Sequence, residues 1–285
     1  MMNQELDVAV AQSSQESRPV ERNAIDAHIT TLGHIFFAIG LVGVGVLSLG
    51  SGDFAYSWQP VPDWVIWRVG LARLSGLVLF VTGITLLTRR AARHSAIIMG
   101  AYLALLMVAL HLPRVLFRPM DVGRWLGLCE NLTLVCGGWI LALAVSRHEA
   151  DSAAKLWSKP RVPELLYAGA CVVFGVSHFV YAEATAGMVP SWLPYRLGFA
   201  YLTGAGHLTA GLALLLGIVP ALAATLEASM ITSFVLLLHM PGVFSEPHSR
   251  LQWTMLSVAS ALAGAAWLIA GSIRRPIRRA QDSAV

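Results

Sequence analysis

The chain has 285 residues, 56% of them apolar and only 13% charged, with a mean hydropathy of +0.65. That balance excludes a soluble globular domain, because so much apolar side chain with so little charge needs lipid as its solvent. The net charge of +4 calls for no nucleic-acid partner, since the basic residues sit in short clusters between apolar stretches of about 20 residues, the length that crosses a bilayer core.

In chain order, residues 1–29 are polar and of mixed charge (Glu5, Asp7, Arg18, Glu21, Arg22, Asp26), with no basic start leading into an early apolar core. This reads as a polar tail and not as a cleaved signal peptide. Apolar spans follow at 30–50, 69–88, 95–112, 125–146, 163–181, 196–216, 219–240 and 252–272. Backbone groups in hydrocarbon must be satisfied within their own segment, so each span is expected to be a helix. The expected fold is all-α: a polytopic membrane protein of eight transmembrane helices, arranged as two parallel four-helix units. The units are 30–146 and 163–272, joined by a linker at 147–162 and followed by a basic tail at 273–285. Thirteen of the twenty Lys and Arg residues fall on one side of this topology: Arg18, Arg22, Arg89, Arg90, Arg93, Arg147, Lys155, Lys159, Arg161, Arg274, Arg275, Arg278 and Arg279. Basic residues are retained in the cytoplasm, so both termini are expected there.

The most informative pattern is an internal repeat. Laying 61–144 over 189–272 without a gap pairs Val61-Pro62 with Val189-Pro190, Trp64 with Trp192, Arg68 with Arg196 and Gly76 with Gly204. Further on it pairs His111 with His239, Pro113 with Pro241, Pro119 with Pro247, Trp125 with Trp253 and Trp139 with Trp267. Twenty-two of 84 positions are identical, and the shared Trp, His, Pro and Arg are too uncommon for apolar bias to explain. An even number of spans per unit keeps the copies parallel, about an axis along the membrane normal. The first span of each unit is out of this register and requires an insertion.

The second unit carries Gly175-Val176-Ser177-His178-Phe179, Val189-Pro190-Ser191-Trp192-Leu193-Pro194, Tyr201-Leu202-Thr203-Gly204 and Gly211-Leu212. With these it resembles the DoxX-like four-helix membrane proteins. The first unit looks like a degraded copy, with Val61-Pro62-Asp63-Trp64 kept, no His-Phe pair in its first span, and Arg73 where the second unit has Tyr201. The resemblance implies a multi-pass protein of a bacterial or archaeal cytoplasmic membrane. It also implies a link to quinone-coupled or oxidative-stress redox complexes, as for some members of that family.

Two sets of residues are candidates for function. At one end of the bundle, Arg68 and Arg196 open spans two and six, Trp192 follows a prolyl loop, and His111 and His239 precede prolines expected to close spans three and seven. Arg196, His239, Trp192 and His178 are expected to line one cavity, with Arg68 and His111 as weaker counterparts. An arginine there suits an anionic headgroup or a quinone carbonyl, whereas interfacial Trp and Arg also simply anchor helix ends. The paired histidines admit a quinone contact, a structural bond at the helix end, or joint haem ligation, the last being the least supported. The second set is ionisable and lies inside the spans: Glu130, His207 and Glu227, with Asn131 beside Glu130. His207 and Glu227 are expected at similar depth on neighbouring helices, where the first unit has Leu79 and Met99. Either they form a proton-accepting site or they bridge two helices for packing. Cys129, Cys136 and Cys171 read as packing residues, and no metal site is expected. The expected function is thus a membrane accessory protein binding lipid or quinone, and the alternative is a transporter or channel built on His207 and Glu227. No catalytic residue is assigned.

Overall fold

The computed structural model describes residues 30–56, 58–88, 91–146 and 161–274. Over these residues the protein is all-helical, and eight helices are long and apolar enough to cross a membrane. Spans one to four are Thr30–Ser51, Arg68–Leu87, Ala92–Phe117 and Val122–Ser146. Spans five to eight are Arg161–Val180, Arg196–Leu216, Pro220–Ser245 and Arg250–Arg274, with a short helix, Ala182–Met188, between five and six. The polar tail 1–29, linker residues 147–160 and the tail from 275 lie outside the described residues. Residues 161 and 162, read as linker, are already helix.

Large apolar side chains such as Leu74, Val81, Leu105, Leu222 and Leu226 are exposed along the spans. A surface this apolar marks a protein surrounded by hydrocarbon. Inside, small residues let backbones touch. A Cβ on Gly264 would meet Phe37 N at 2.1 Å, and one on Gly40 would meet Ala261 N at 2.4 Å, so span one packs directly on span eight. Spans four and five also pack together across the two halves, as do spans four and eight.

The expectation that Pro113 and Pro241 end their helices is wrong: the helices run on to Phe117 and Ser245. In a regular helix a proline ring collides with the carbonyl four residues back. Here a single wide π turn precedes each proline, Met107–His111 and Val235–His239, with Leu112 N–H bonded to Met107 O and Met240 N–H to Val235 O. The wider turn makes room for the ring, and the helix continues.

The 128-residue spacing recurs in the backbone. Spans two, three and four begin at 68, 92 and 122, and spans six, seven and eight at 196, 220 and 250. Left-handed residues stand before spans two and six (Trp67, φ 63°; Tyr195, φ 54°) and before spans three and seven (Ala91, φ 50°; Val219, φ 40°). Trp125 Nε1 donates to Pro119 O at 2.8 Å, and Trp253 Nε1 donates to Pro247 O at 2.9 Å. Spans one and five, which the gapless match missed, correspond at a spacing of 130 (175 − 45). A Cβ on Gly76 would meet Gly45 O and Ser48 Cβ, and one on Gly204 would meet Gly175 O and His178 Cβ. Where spans four and eight meet, a Cβ on Gly137 would come within 2.6 Å of Ala265 Cβ, its counterpart 128 residues on.

Candidate functional site

The tight turn at 217–219, with Gly217 left-handed at φ 70°, folds span seven back along span six. His207 lies nine residues before the end of span six, and Glu227 seven after the start of span seven. At 1.5 Å per residue both are roughly 10–14 Å from the turn. The two side chains meet there as expected: His207 Nδ1 is 2.5 Å from Glu227 Oε1, with 4% and 0% of the side chains exposed.

Span five supplies the rest of the site. Glu164, Tyr167, Cys171, Phe174 and His178 follow each other at steps of three and four, which puts them on one helix face. The His178 ring lies 4.8 Å from that of His207 between centroids, and its Nδ1 donates to Phe174 O at 2.9 Å. Phe174 and Phe234 set their rings edge-on around His207 at 5.7 and 5.9 Å. Tyr167 and Cys171 are fully buried, close enough to Glu227 to feel its charge. Two buried atoms, Glu227 Oε2 and the Tyr167 hydroxyl, have no nitrogen or oxygen partner among the described residues, and the Cys171 thiol is the polar group beside both. Leaving such a group unpaired costs about 1–3 kcal/mol.

At the matching positions the first unit is apolar, with Leu79, Met99, Phe37, Leu41 and Val44 packed into the core and Ser48 in place of His178. Its polar groups lie nearer the loop end and close that end. The chain between spans one and two dips inward and buries Trp58 and Gln59. Gln59 Nε2 donates to Ser75 Oγ at 2.9 Å, Ala55 N–H donates to Gln59 Oε1 at 3.0 Å, and the Tyr102 hydroxyl donates to Ser75 Oγ. His111 Nε2 lies 3.0 Å from Trp58 O and 2.9 Å from Asn131 Nδ2, and can donate to the first or accept from the second. The second unit closes this end differently. The short helix Ala182–Met188 packs there, with Ala182 and Ala186 buried; Trp192 and Tyr195 are exposed like their counterparts Trp64 and Trp67, whereas Thr203, Phe234 and His239 are half-buried where their counterparts Ser75, Leu106 and His111 are buried.

The end-of-bundle candidates divide accordingly. Arg68 is committed to structure: it pairs with Asp53 at 2.8 Å, donates to Pro62 O at 3.1 Å and to Val61 O, and lies over the Phe54 ring. Arg250, from span eight, grips the same Asp53 at 3.3 Å and donates to Phe54 O. Burial pushes the Asp53 carboxyl up, but the Phe54 N–H, the Arg250 hydrogen bond and the charges of Arg68 and Arg250 outweigh it and hold it below the ordinary carboxylate value. Arg196 and Trp192 are exposed, and the side chains of Trp192, Arg196 and His239 make no hydrogen bond or ion pair among the described residues. The structure shows no contact drawing these three to His178, which turns inward to His207. Glu130 is half-buried on the face of span four that carries Gly137, two turns away.

The His111 ring is enclosed, with Nε2 engaged and Nδ1 against Gly127. All three cysteines are free and buried. Among the described residues no group of three or more His, Cys, Asp or Glu side chains is placed to hold a metal ion. Sequence reasoning missed Asp53, the Trp58–Gln59 plug and the role of Tyr167. The seven-residue steps from Glu164 to Cys171 to His178 were the signal for the stripe containing Tyr167. No family model, curated protein or solved structure matches the chain, so the functional reading rests on its own residues.

Proposed function

We propose that the protein is a DoxX-like membrane binding protein formed by tandem duplication, in which the first unit serves as scaffold. The second unit holds a lipid-like molecule, a quinone above all, with its polar head toward the His207–Glu227 pair. One observation carries this reading: Glu227 Oε2 and the Tyr167 hydroxyl are buried with no nitrogen or oxygen partner, Glu227 in contact with His207, in a bundle less closed at its loop end than its twin. A quinone carbonyl accepts a hydrogen bond from a hydroxyl or a protonated carboxyl, and Phe174 and Phe234 offer aromatic walls for a flat ring. Exposed Arg196 and Trp192 suit the headgroup layer around the entrance. The positive-inside bias puts the turn ends and both termini in the cytoplasm of a bacterial or archaeal cell, and the entrance on the outer leaflet. A membrane redox complex is then the natural partner.

The test is mass spectrometry of the lipid extract from purified protein. Wild type should retain an isoprenoid quinone, and Glu227→Gln and Tyr167→Phe should lose most of it while remaining folded. Quinone content unchanged in both variants would refute the assignment. A second reading, transport of a small molecule, draws on the π turns at matching places in spans three and seven, since paired interruptions of spanning helices are a feature of transporter repeats.

A further inference from the structure

We infer that the second unit carries a proton-transfer path along its bundle, from Glu164 near the turn end through Tyr167 and Glu227 to His207 and His178 near the loop end. The groups lie in order along the membrane normal. Glu164 is three residues into span five and His178 two residues from its end, a rise of roughly 21 Å at 1.5 Å per residue. Between them sit Tyr167 and the His207–Glu227 contact, so titratable groups follow each other from one end of the span to the other. The first unit holds His34, Phe37, Met99, Leu79 and Ser48 at the corresponding places, and its three central members carry no exchangeable proton.

The unpaired atoms fall where a path needs them. A proton donor and acceptor already satisfied by fixed bonds has no free site to receive the next proton. Tyr167 OH and Glu227 Oε2 are buried at the centre of the line with no nitrogen or oxygen partner, and the Cys171 thiol lies beside both. Glu164 accepts from the Ser272 hydroxyl at 2.8 Å through one oxygen, which leaves the other for exchange. His178 Nδ1 is tied to Phe174 O, which leaves Nε2 for the loop end. Other titratable or charged groups near the line are few: Cys171 and Cys136 beside Tyr167, Arg161 beside Glu164, and Arg274, which donates to Thr225 at 3.0 Å.

The transfer balances without any other reactant. A proton taken up by Glu164 moves on as the Tyr167 oxygen accepts it and releases its own to Glu227 Oε2. As Glu227 Oε2 takes up that proton, His207 releases one from its other ring nitrogen toward His178 in the same step, so the pair gains and loses one proton together and adds no net charge to the low-dielectric interior, and rotation of the two side chains restores the starting arrangement. The path needs proton exchange at every member from Glu164 to His178; it does not rest on the quinone reading, and it operates when no quinone head is bonded to Tyr167 and Glu227.

The experiment uses the full-length protein in liposomes with a trapped pH dye and a valinomycin-set potassium gradient as the driving force. Wild type should admit protons faster than protein-free vesicles, and Glu227→Gln, Tyr167→Phe and Glu164→Gln should each return the rate to background. Met99→Leu in the first unit should leave it unchanged. Circular dichroism and gel filtration establish that each variant is folded, and Glu164→Gln, at a half-buried helix end, keeps the test available if the deeper variants unfold. A wild-type rate equal to protein-free vesicles, or a folded Glu164→Gln variant conducting at the wild-type rate, overturns the path. The quinone measurement is unaffected by either result, so the two readings fail separately.

Discussion

The two halves of the bundle share their helix starts, their left-handed junctions, their π turns and a matched tryptophan hydrogen bond, yet they bury opposite kinds of side chain at mid-depth. In the first half Leu79 and Met99 lie in the core; in the second, His207 and Glu227 touch at 2.5 Å. A packed lipid-embedded helix pair does not need a buried polar pair to hold together, because its twin manages with a leucine and a methionine. The comparison therefore separates what the fold requires from what the second half keeps for another purpose.

The largest effect should come from breaking the polar pair on one side. His207→Ala leaves a buried carboxyl group without its partner and opens a cavity in the core, and should cost about 3–5 kcal/mol, read as thermal unfolding in detergent. Replacing both residues with those of the first half, His207→Leu with Glu227→Met, should recover that loss, since a well-packed apolar pair is neutral or better. A double variant as unstable as the single one would mean the pair is a structural need of the second half. Next in size is the arginine comparison. Arg68→Ala removes hydrogen bonds from a charged group to two loop carbonyls and an acid, and should cost about 1–3 kcal/mol. Arg196→Ala, with no such bonds, should lie within about 0.5 kcal/mol of wild type. Comparable losses in both would place Arg196 in a clamp of its own.

The matched tryptophans sharpen the equivalence instead of the difference. Trp125→Phe and Trp253→Phe each remove one indole N–H bond to a prolyl carbonyl, and each should cost about 1 kcal/mol by the same melting assay. Unequal costs would show that the two junctions are braced differently. The smallest effect belongs to Asp53, whose carboxyl is held below its ordinary value. A group with a depressed folded pKa stabilises fully above its unfolded value, near 4, and loses that contribution as pH falls through the lower folded value. Acidification from pH 5 to pH 3 should therefore lower the melting temperature of wild type more than that of Asp53→Asn, by an amount on the scale of about 0–1 kcal/mol for a partly exposed ion pair.

The spans and the 128-residue register were legible because lipid enforces both helix and apolarity over a fixed length, and because Trp, Pro and His stand out against that background. Depth counting also brought His207 to Glu227, since a short turn leaves two helices no choice of neighbour. What the sequence hid was long-range. Asp53 draws its partners from Arg68 and from Arg250, nearly 200 residues away, and no local spacing announces that. Trp58 and Gln59 look like ordinary loop residues until the loop is seen folded inward. The prolines misled because a proline signals a broken helix only where the preceding turn is regular.

That last exception has a geometric consequence for everything beyond the turn. A π turn holds one residue more than a regular turn, and one residue is worth about 100° of rotation about the helix axis. Val115 and Val243, buried at 2% and 5% exposure, owe their inward facing to that offset. Delete one residue from either wide turn, and the six residues that follow would be dialled round by more than a quarter of a revolution, swinging the valine toward lipid and a surface neighbour into the core. The extra residue acts as a phase setting for the tip of the helix, and both halves of the molecule carry it at the same place.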